Sequence, residues 1–191
     1  MTHDPRNEAQ QLLEEAMATD ARGDADRAAE LLRRSIALQP VNPFAHYLLG
    51  ADCAERGVNG DAVLHLTTAV EQAPRLWEAR LQLALLWLTQ DNLRTAASVA
   101  GPLQELPDTT AMHHFGAALS LAANGQAGLA CAALRQGLAI GCDNAPLMAD
   151  MRTLLQRLEQ SQPGRDQEAD LQTMQIGLAI NAYSGGGQTD R

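Results

Sequence analysis

The sequence predicts an all-α protein built from successive helical hairpins, and three observations lead to this class. Hydrophobic residues make up 46% of the 191 residues but aromatic residues only 3%, so the core must consist mainly of Ala, Leu and Val. Such side chains suit closely packed helices better than a β-sheet, which favours β-branched and aromatic residues. Turn residues interrupt the helix-forming sequence at a constant interval, and small side chains recur at the same interval.

The interval is 34 residues. The turn positions are Gly23, Gly57, Asp91 and Gly125. Small side chains occupy two further positions of the period, at Ala16, Gly50, Ala84 and Ala118, and at Ala28, Ala62, Ala96 and Ala130. Large apolar side chains occupy another, at Leu13, Tyr47, Leu81 and Phe115. A period that persists over four copies indicates an array of helix–turn–helix units.

This pattern resembles the tetratricopeptide repeat, and segment 46–74 carries the main positions of that motif. They are Leu49, Gly50, Cys53, Gly57, Ala62, Leu66, Ala69 and Pro74. The resemblance covers about three-quarters of the chain and implies a right-handed superhelix of four repeats, at 9–42, 43–76, 77–110 and 111–144. Because the motif is structural, it implies a fold and no particular activity.

Within each repeat, the first helix is expected to end at the turn residue. Gly23 can adopt the left-handed backbone conformation that costs other residues energy, and Asp24 or Asp26 can then cap the second helix. Asp91 and Asn92 can serve the same purpose less well. The two helices are expected to cross closely at the two small positions, because a larger side chain there would force them apart.

The third repeat departs from the pattern. Gly101 and Pro102 fall inside its expected second helix, where proline removes a backbone hydrogen bond. We therefore expect this helix to kink or to end near residue 100. Both a degenerate repeat and a hinge in the superhelix fit this departure.

Segment 145–162 is expected to form a capping helix that completes a repeat domain at 9–162. Met148, Met151 and Leu155 form an apolar stripe at helical spacing. Arg152 stands where the four repeats have a small residue, so no further helix needs to pack closely there. A polar outer side is what the end of a helical repeat array requires for solubility.

The remaining segment, 163–191, is expected to be a partly disordered tail. Residues 169–183 are apolar enough for a short helix, and disorder is expected from Ser184 onward. The tail is either a loosely docked terminus or a segment that binds a partner or the protein's own groove.

The resemblance also implies that the first helices of the repeats line a concave face, which is mostly apolar in this sequence. An exposed apolar strip of this kind indicates a binding site for a protein or peptide with an apolar segment. The alternative is that some of these side chains pack between neighbouring repeats. The candidate groove residues are Leu13, Met17, Phe44, Tyr47, Leu81, Leu85, Leu88, Met112, Phe115 and Leu119.

One subset of these repeats, found in Hsp70- and Hsp90-type co-chaperones, clamps a C-terminal carboxylate with basic residues and asparagine on the concave face. No cation occupies the corresponding positions here, which argues against this class. The residues at those positions are Leu13, Met17, Leu48, Glu78 and Gln82.

The sequence offers little for catalysis, and no cofactor or metal site is expected. It contains no HExxH, GxSxG, phosphate-loop or GxGxxG motif. His113 and His114 are adjacent and cannot bind one metal ion together from a helix, and His46 and His65 are expected on opposite helices of the second repeat. Cysteines 53 and 131 have no base visible in the sequence, so we expect no enzyme activity.

Charge and terminal sequence indicate the expected partners and compartment. The formal net charge of −9, without a basic patch, argues against nucleic acid and anionic membranes. The polar sequence after Met1 has no secretory signal, no apolar run is long enough to span a membrane, and the odd number of cysteines suits a reducing compartment. We expect a full-length bacterial protein in the cytoplasm, with homo-oligomerisation left open.

These observations favour an adaptor or scaffold that binds an apolar peptide or helix in the concave groove. Two alternatives remain open at this stage. The first is a cytoplasmic chaperone for translocator proteins of type III secretion, which similar small acidic repeat proteins serve. The second is the accessory subunit of an enzyme.

Overall fold

The computed structural model describes residues 4–161, and the predicted tail at 163–191 lies outside them. The described chain is an all-α repeat superhelix without strands. Its α-helices are α1 (Pro5–Asp20), α2 (Ala25–Leu38), α3 (Pro43–Glu55), α4 (Asn59–Gln72), α5 (Trp77–Thr89), α6 (Leu93–Ala100), α7 (Ala111–Ala123), α8 (Ala127–Ile140) and α9 (Ala145–Gln160). None of these helices is long and apolar enough to cross a membrane.

Four helical hairpins follow one another, and the same turn closes each of them. Gly23, Gly57 and Gly125 have φ angles of 84°, 73° and 73°, and Asp91 has a φ angle of 59°. This confirms the prediction of left-handed turn residues. In each turn the residue after the left-handed one donates its backbone N–H to the carbonyl five residues earlier, which is the bond of a Schellman motif. The four pairs are Asp24 with Thr19, Val58 with Cys53, Asn92 with Trp87, and Gln126 with Leu121.

The paired helices meet where the sequence places small side chains. Ala62, Ala96 and Ala130 are all fully buried. A Cβ atom built on Gly50 would lie 2.8 Å from Cγ and 3.0 Å from the backbone nitrogen of Leu66 on the facing helix. The contact between α3 and α4 therefore leaves no room for even one methyl group at position 50.

The second helix of the third hairpin ends early, as predicted. Helix α6 stops at Ala100, and a short 3₁₀-helix, Gly101–Glu105, continues the chain through Pro102. Leu103 on this 3₁₀-helix is fully buried against α7, where a Cβ atom on Gly116 would lie within 2.3 Å of the Cβ atom of Leu103. The 3₁₀-helix thus supplies the core side chain that a longer α6 would have supplied.

Two histidines join the helices of the second hairpin. Nδ1 of His46 on α3 lies 2.9 Å from Nδ1 of His65 on α4, and Nε2 of His46 lies 3.3 Å from the carbonyl oxygen of Pro40. Because a carbonyl only accepts, His46 carries its hydrogen on Nε2 and accepts from Nδ1–H of His65. Burial lowers the pKa of His65, and the neighbouring His46 lowers it further.

We expect the substitution Gly50→Ala to destabilise the fold by about 1–3 kcal/mol, because the added methyl group meets Leu66. Gly60→Ala is the matched control, since no atom lies within 4 Å of a Cβ atom at that position. The control should be at least as stable as the wild type. Its free energy of unfolding can rise by up to ~1 kcal/mol, because alanine has a higher helix propensity than glycine. Urea unfolding monitored by circular dichroism measures both variants. Equal effects of the two substitutions would contradict the close packing described for α3 and α4.

The histidine pair predicts how stability depends on pH. The pKa of His65 is lower in the folded chain than in the unfolded chain, so the unfolded chain binds more protons as the pH falls below about 6.5. Stability should therefore decrease between about pH 7.5 and about pH 5.5. His65→Gln, which keeps a donor for His46, should lose less stability over the same interval. If the denaturant midpoints of the two proteins change equally over this pH interval, His65 is not the group that causes the loss of stability.

Candidate functional site

The last helix returns across the concave side of the superhelix to the second hairpin. Asn144, the N-cap of α9, donates from Nδ2 to the hydroxyl oxygen of Tyr47 on α3 at 3.1 Å. Further along α9, Oδ2 of Asp150 accepts from Nε2 of Gln82 on α5 at 3.0 Å. These bonds join residues that are 97 and 68 positions apart in the sequence.

The apolar side of α9 is buried in the core of the last two hairpins. Met151 is fully buried, and it belongs to the same core cluster as Leu134 on α8 and Leu81 on α5. Helix α9 therefore caps the last hairpin, and Asp150 on it also reaches α5.

An open groove of about 700 Å³ remains between α1, α3 and the segment that leads into α9. This volume falls within the range of sites that bind small ligands or side-chain anchors. The apolar side chains at its surface are Met17, Phe44, Tyr47, Leu48, Ala51 and Met112. We call this space the α1–α3 groove.

Four of the residues predicted for the groove line it, and two of them are substantially open to solvent. Met17 is 46% exposed and Phe44 is 37% exposed, whereas Tyr47 is mostly buried and Met112 is half-buried. The rings of Phe44 and Tyr47 lie 5.8 Å apart with an angle of 49° between their planes. Phe44 and Tyr47 form an apolar surface near the start of α3, whereas Met17 lies in the last turn of α1.

The structure corrects the prediction for four other residues, which lie in the core. Leu81, Phe115 and Leu119 are fully buried, and Leu13 is 5% exposed. Phe115 shows the reason, because its ring packs against α8 so closely that a Cβ atom on Gly137 would lie 2.5 Å from its Cε1 atom. At Leu81 and Phe115 the large side chain at this position of the period lies in the core, whereas Tyr47 at the same position lines the groove.

The last two predicted residues lie further along the concave face. Leu85 lines a second space of about 260 Å³ between α3, α5 and α9, which shares Ala51 and Glu55 with the α1–α3 groove. Leu88 is half-buried against the core cluster of the last two hairpins and α9. The structure therefore does not gather the ten predicted residues into one surface.

The α1–α3 groove is acidic. Among residues 4–161, no arginine or lysine lines it, but five carboxylates do, namely Asp20, Asp52, Glu55, Glu78 and Asp143. Burial raises the pKa of Glu55, and the nearby Asp150, Asp20 and Asp52 raise it further. The pKa of Asp150 is also raised, mainly by burial, although its hydrogen bond from Gln82 opposes the change.

The sequence analysis placed Glu78 on the concave face but did not name Asp52, Glu55, Asp143 or Asn144 as site residues. A signal for Glu55 was present, because Asp20 and Glu55 are the last residues of the first helices of two successive repeats. The role of Asn144 had no local signal, since its amide reaches Tyr47 only in the folded superhelix.

The histidines and cysteines do not form an evident reactive centre in the described chain. His113 and His114 each lie next to a backbone carbonyl of the preceding loop, that of Leu106 at 2.9 Å and that of Asp108 at 2.7 Å. Burial raises the pKa of Cys53 and of Cys131, which keeps both as thiols at neutral pH. Within the part of the chain that the structure describes, there is no group of three or more side chains placed to hold a metal ion.

Solved structures of tetratricopeptide-repeat (TPR) proteins have a similar fold. TTC0263, a thermophilic TPR protein of Thermus thermophilus, is 24% identical with a TM-score of 0.63, over 80% of this chain and 82% of that chain. YrrB, a TPR protein with an unusual peptide-binding site, is 18% identical with a TM-score of 0.58, over 80% of this chain and 74% of that chain. MamA from Desulfovibrio magneticus RS-1, solved from residue 41 to its end, is 16% identical with a TM-score of 0.58, over 82% of this chain and 97% of that chain.

No protein-family profile matches the sequence, and no curated protein matches it significantly. At these identities the solved structures establish the architecture alone. The helical hairpins, their 34-residue period and the structural similarity lead to the same conclusion: this chain has the tetratricopeptide-repeat fold.

Proposed function

We propose that this protein is an interaction scaffold that binds an apolar segment of a partner protein in the α1–α3 groove. The observation that carries the proposal is the open groove itself, with Met17 and Phe44 exposed at its surface. Exposed apolar side chains that line a concave surface are typical of binding sites for peptides and helices. Methionine side chains at both ends of the groove would adapt to different partner residues.

The structural relatives are consistent with this proposal. YrrB is a TPR protein with a peptide-binding site, and it shares the helical-repeat architecture over 80% of this chain. Its name says nothing about which residues of the present chain bind a partner. The groove residues proposed here depend on the exposure and position of the side chains in this chain.

The chemistry of the groove favours binding over catalysis. Its titratable side chains are mostly carboxylates, and the histidine pair His46–His65 is not among the residues that line it. A protein or peptide partner fits this surface better than a nucleic acid or an anionic membrane does, because both of those carry negative charge. We propose a cytoplasmic location, because the odd number of cysteines suits a reducing compartment.

To test the proposal, we would compare the partners of the wild-type chain with those of the double variant Met17→Ser, Phe44→Ser. Quantitative mass spectrometry of captured proteins identifies a candidate partner, and calorimetry with a peptide from its apolar segment then measures the affinity. The double variant should bind that peptide at least about tenfold more weakly, because it lacks two exposed apolar contacts.

Leu64→Ser and Leu129→Ser provide the matched control, since both leucines are exposed but do not line the groove. The control variant should bind the peptide as the wild type does, and thermal unfolding should show that both variants remain folded. If the groove variant binds the peptide as tightly as the wild type, the α1–α3 groove is not the site.

A further inference from the structure

We infer that the segment bound in the α1–α3 groove carries an arginine beside its apolar anchor, and that Asp20, Asp52 and Glu55 bind its guanidinium. This inference rests on the proposed function and specifies the chemistry of the partner. It concerns the end of the groove opposite Phe44, where α1 and α3 end.

Two helix C-termini and three carboxylates meet at this end of the groove. Asp20 is the last residue of α1, and Asp52 and Glu55 lie in the last turn of α3. The C-terminus of a helix carries a partial negative charge, which basic side chains usually balance. Neither α1 nor α3 has a basic residue in its last turn. The resulting negative potential faces the open groove and favours a cation there.

The nearby arginines do not neutralise this site fully. Arg56 donates from Nε to Oδ1 of Asp52 at 2.8 Å and from Nη1 to Asp26. Its two interactions leave Oδ2 of Asp52 without a hydrogen-bond partner in the part of the chain that the structure describes, although that oxygen is buried. Arg22 donates to the hydroxyl of Thr19 and is not a lining residue of the groove.

The titration of Glu55 agrees with an excess of negative charge. Burial and three neighbouring carboxylates raise its pKa, and among the named influences only that of Arg56 lowers it. A bound cation would favour the ionised form of Glu55. Binding of an arginine should therefore strengthen as the pH rises through the range in which Glu55 ionises.

The geometry indicates the spacing between the two anchors of the partner. Phe44 and Asp52 are eight residues apart on α3, which corresponds to about 12 Å along the helix. Ala51 lies between them at the groove surface, and its small side chain leaves room for the backbone of a partner. A partner helix that lies along α3 would match this spacing if it carried an apolar residue and an arginine eight positions apart.

Arginine fits this site better than lysine because of its donor geometry. A guanidinium offers five N–H donors in one plane and can bond to several carboxylates at once, whereas an ammonium is a compact point charge. Carboxylates from two different helices border the site, so a ligand with spread donors can reach more than one of them.

The test uses the full chain and a set of helical 16-residue peptides that share one apolar stripe. They share a leucine near one end and differ only at the position eight residues from it, which is arginine, lysine, glutamine or glutamate. We expect the arginine peptide to bind at least about tenfold more tightly than the glutamine peptide in calorimetry at neutral pH and low salt, a difference of about 1.4 kcal/mol. This preference should decrease at about pH 5 and at high salt.

Matched variants show which carboxylates cause the preference for the arginine peptide. Asp20→Asn with Glu55→Gln should abolish the preference for the arginine peptide over the glutamine peptide. Glu15→Gln with Glu71→Gln removes the same charge from exposed positions that do not line the groove, and this control should keep the preference. An equal reduction in both variants would assign the effect to net charge and would overturn the inference.

The remaining outcomes separate the inference from the proposed function. Equal binding of the arginine, lysine and glutamine peptides would refute the arginine site but leave apolar binding in the groove intact. Failure of all peptides to bind would overturn both, and sedimentation analysis would then show whether a second copy of the chain fills the groove. Tighter binding of the glutamate peptide would also overturn the inference.

Discussion

The close approach of paired helices at small side chains is the constraint on which the rest of this structure depends. Gly50 allows α3 and α4 to touch with no space for a methyl group, and the buried Ala62 on α4 meets the same hairpin interface. Since the same small positions return every 34 residues and the same hydrogen bond closes each turn, successive hairpins have nearly the same internal geometry. Stacking such units produces a superhelix whose curvature is set by the packing and not by the loops.

The curvature has a direct consequence for the site. It brings α9 back across the concave face to α3 and α5, where the polar contact between Asn144 and Tyr47 fixes the position of its N-terminus. The apolar side of α9 is buried in a core that it shares with the last two hairpins. What remains open lies between α1 and α3, where exposed Met17 and Phe44 are followed by carboxylates at the helix ends. Both the shape and the charge of the groove therefore depend on how α9 and the segment before it close the array.

Local features of the fold could be predicted from the sequence, whereas the groove could be predicted only in part. The left-handed residues at Gly57 and Asp91 and the end of α6 at Ala100 follow from glycine, aspartate and proline chemistry within a few residues. The placement of Phe115 in the core could not be decided, because a large apolar residue at that position suits a groove and an interface equally well. The position of α9 depends on two hydrogen bonds, one between residues 97 positions apart in the sequence and one between residues 68 positions apart. The local sequence pattern carries no information about such distant contacts.

The contact between Asn144 and Tyr47 tests this account most directly, because it exists only if the superhelix closes as described. The chain has two tyrosines, so Tyr183→Phe leaves Tyr47 as the single tyrosine for assignment. Nuclear Overhauser spectroscopy of this variant should show cross-peaks between the ring protons of Tyr47 and the side-chain amide of Asn144, whose nitrogen lies 3.1 Å from the hydroxyl oxygen. Cross-peaks from Tyr47 to its neighbours on α3 without any to Asn144 would show that α9 does not reach α3, and the groove described here would not exist in solution.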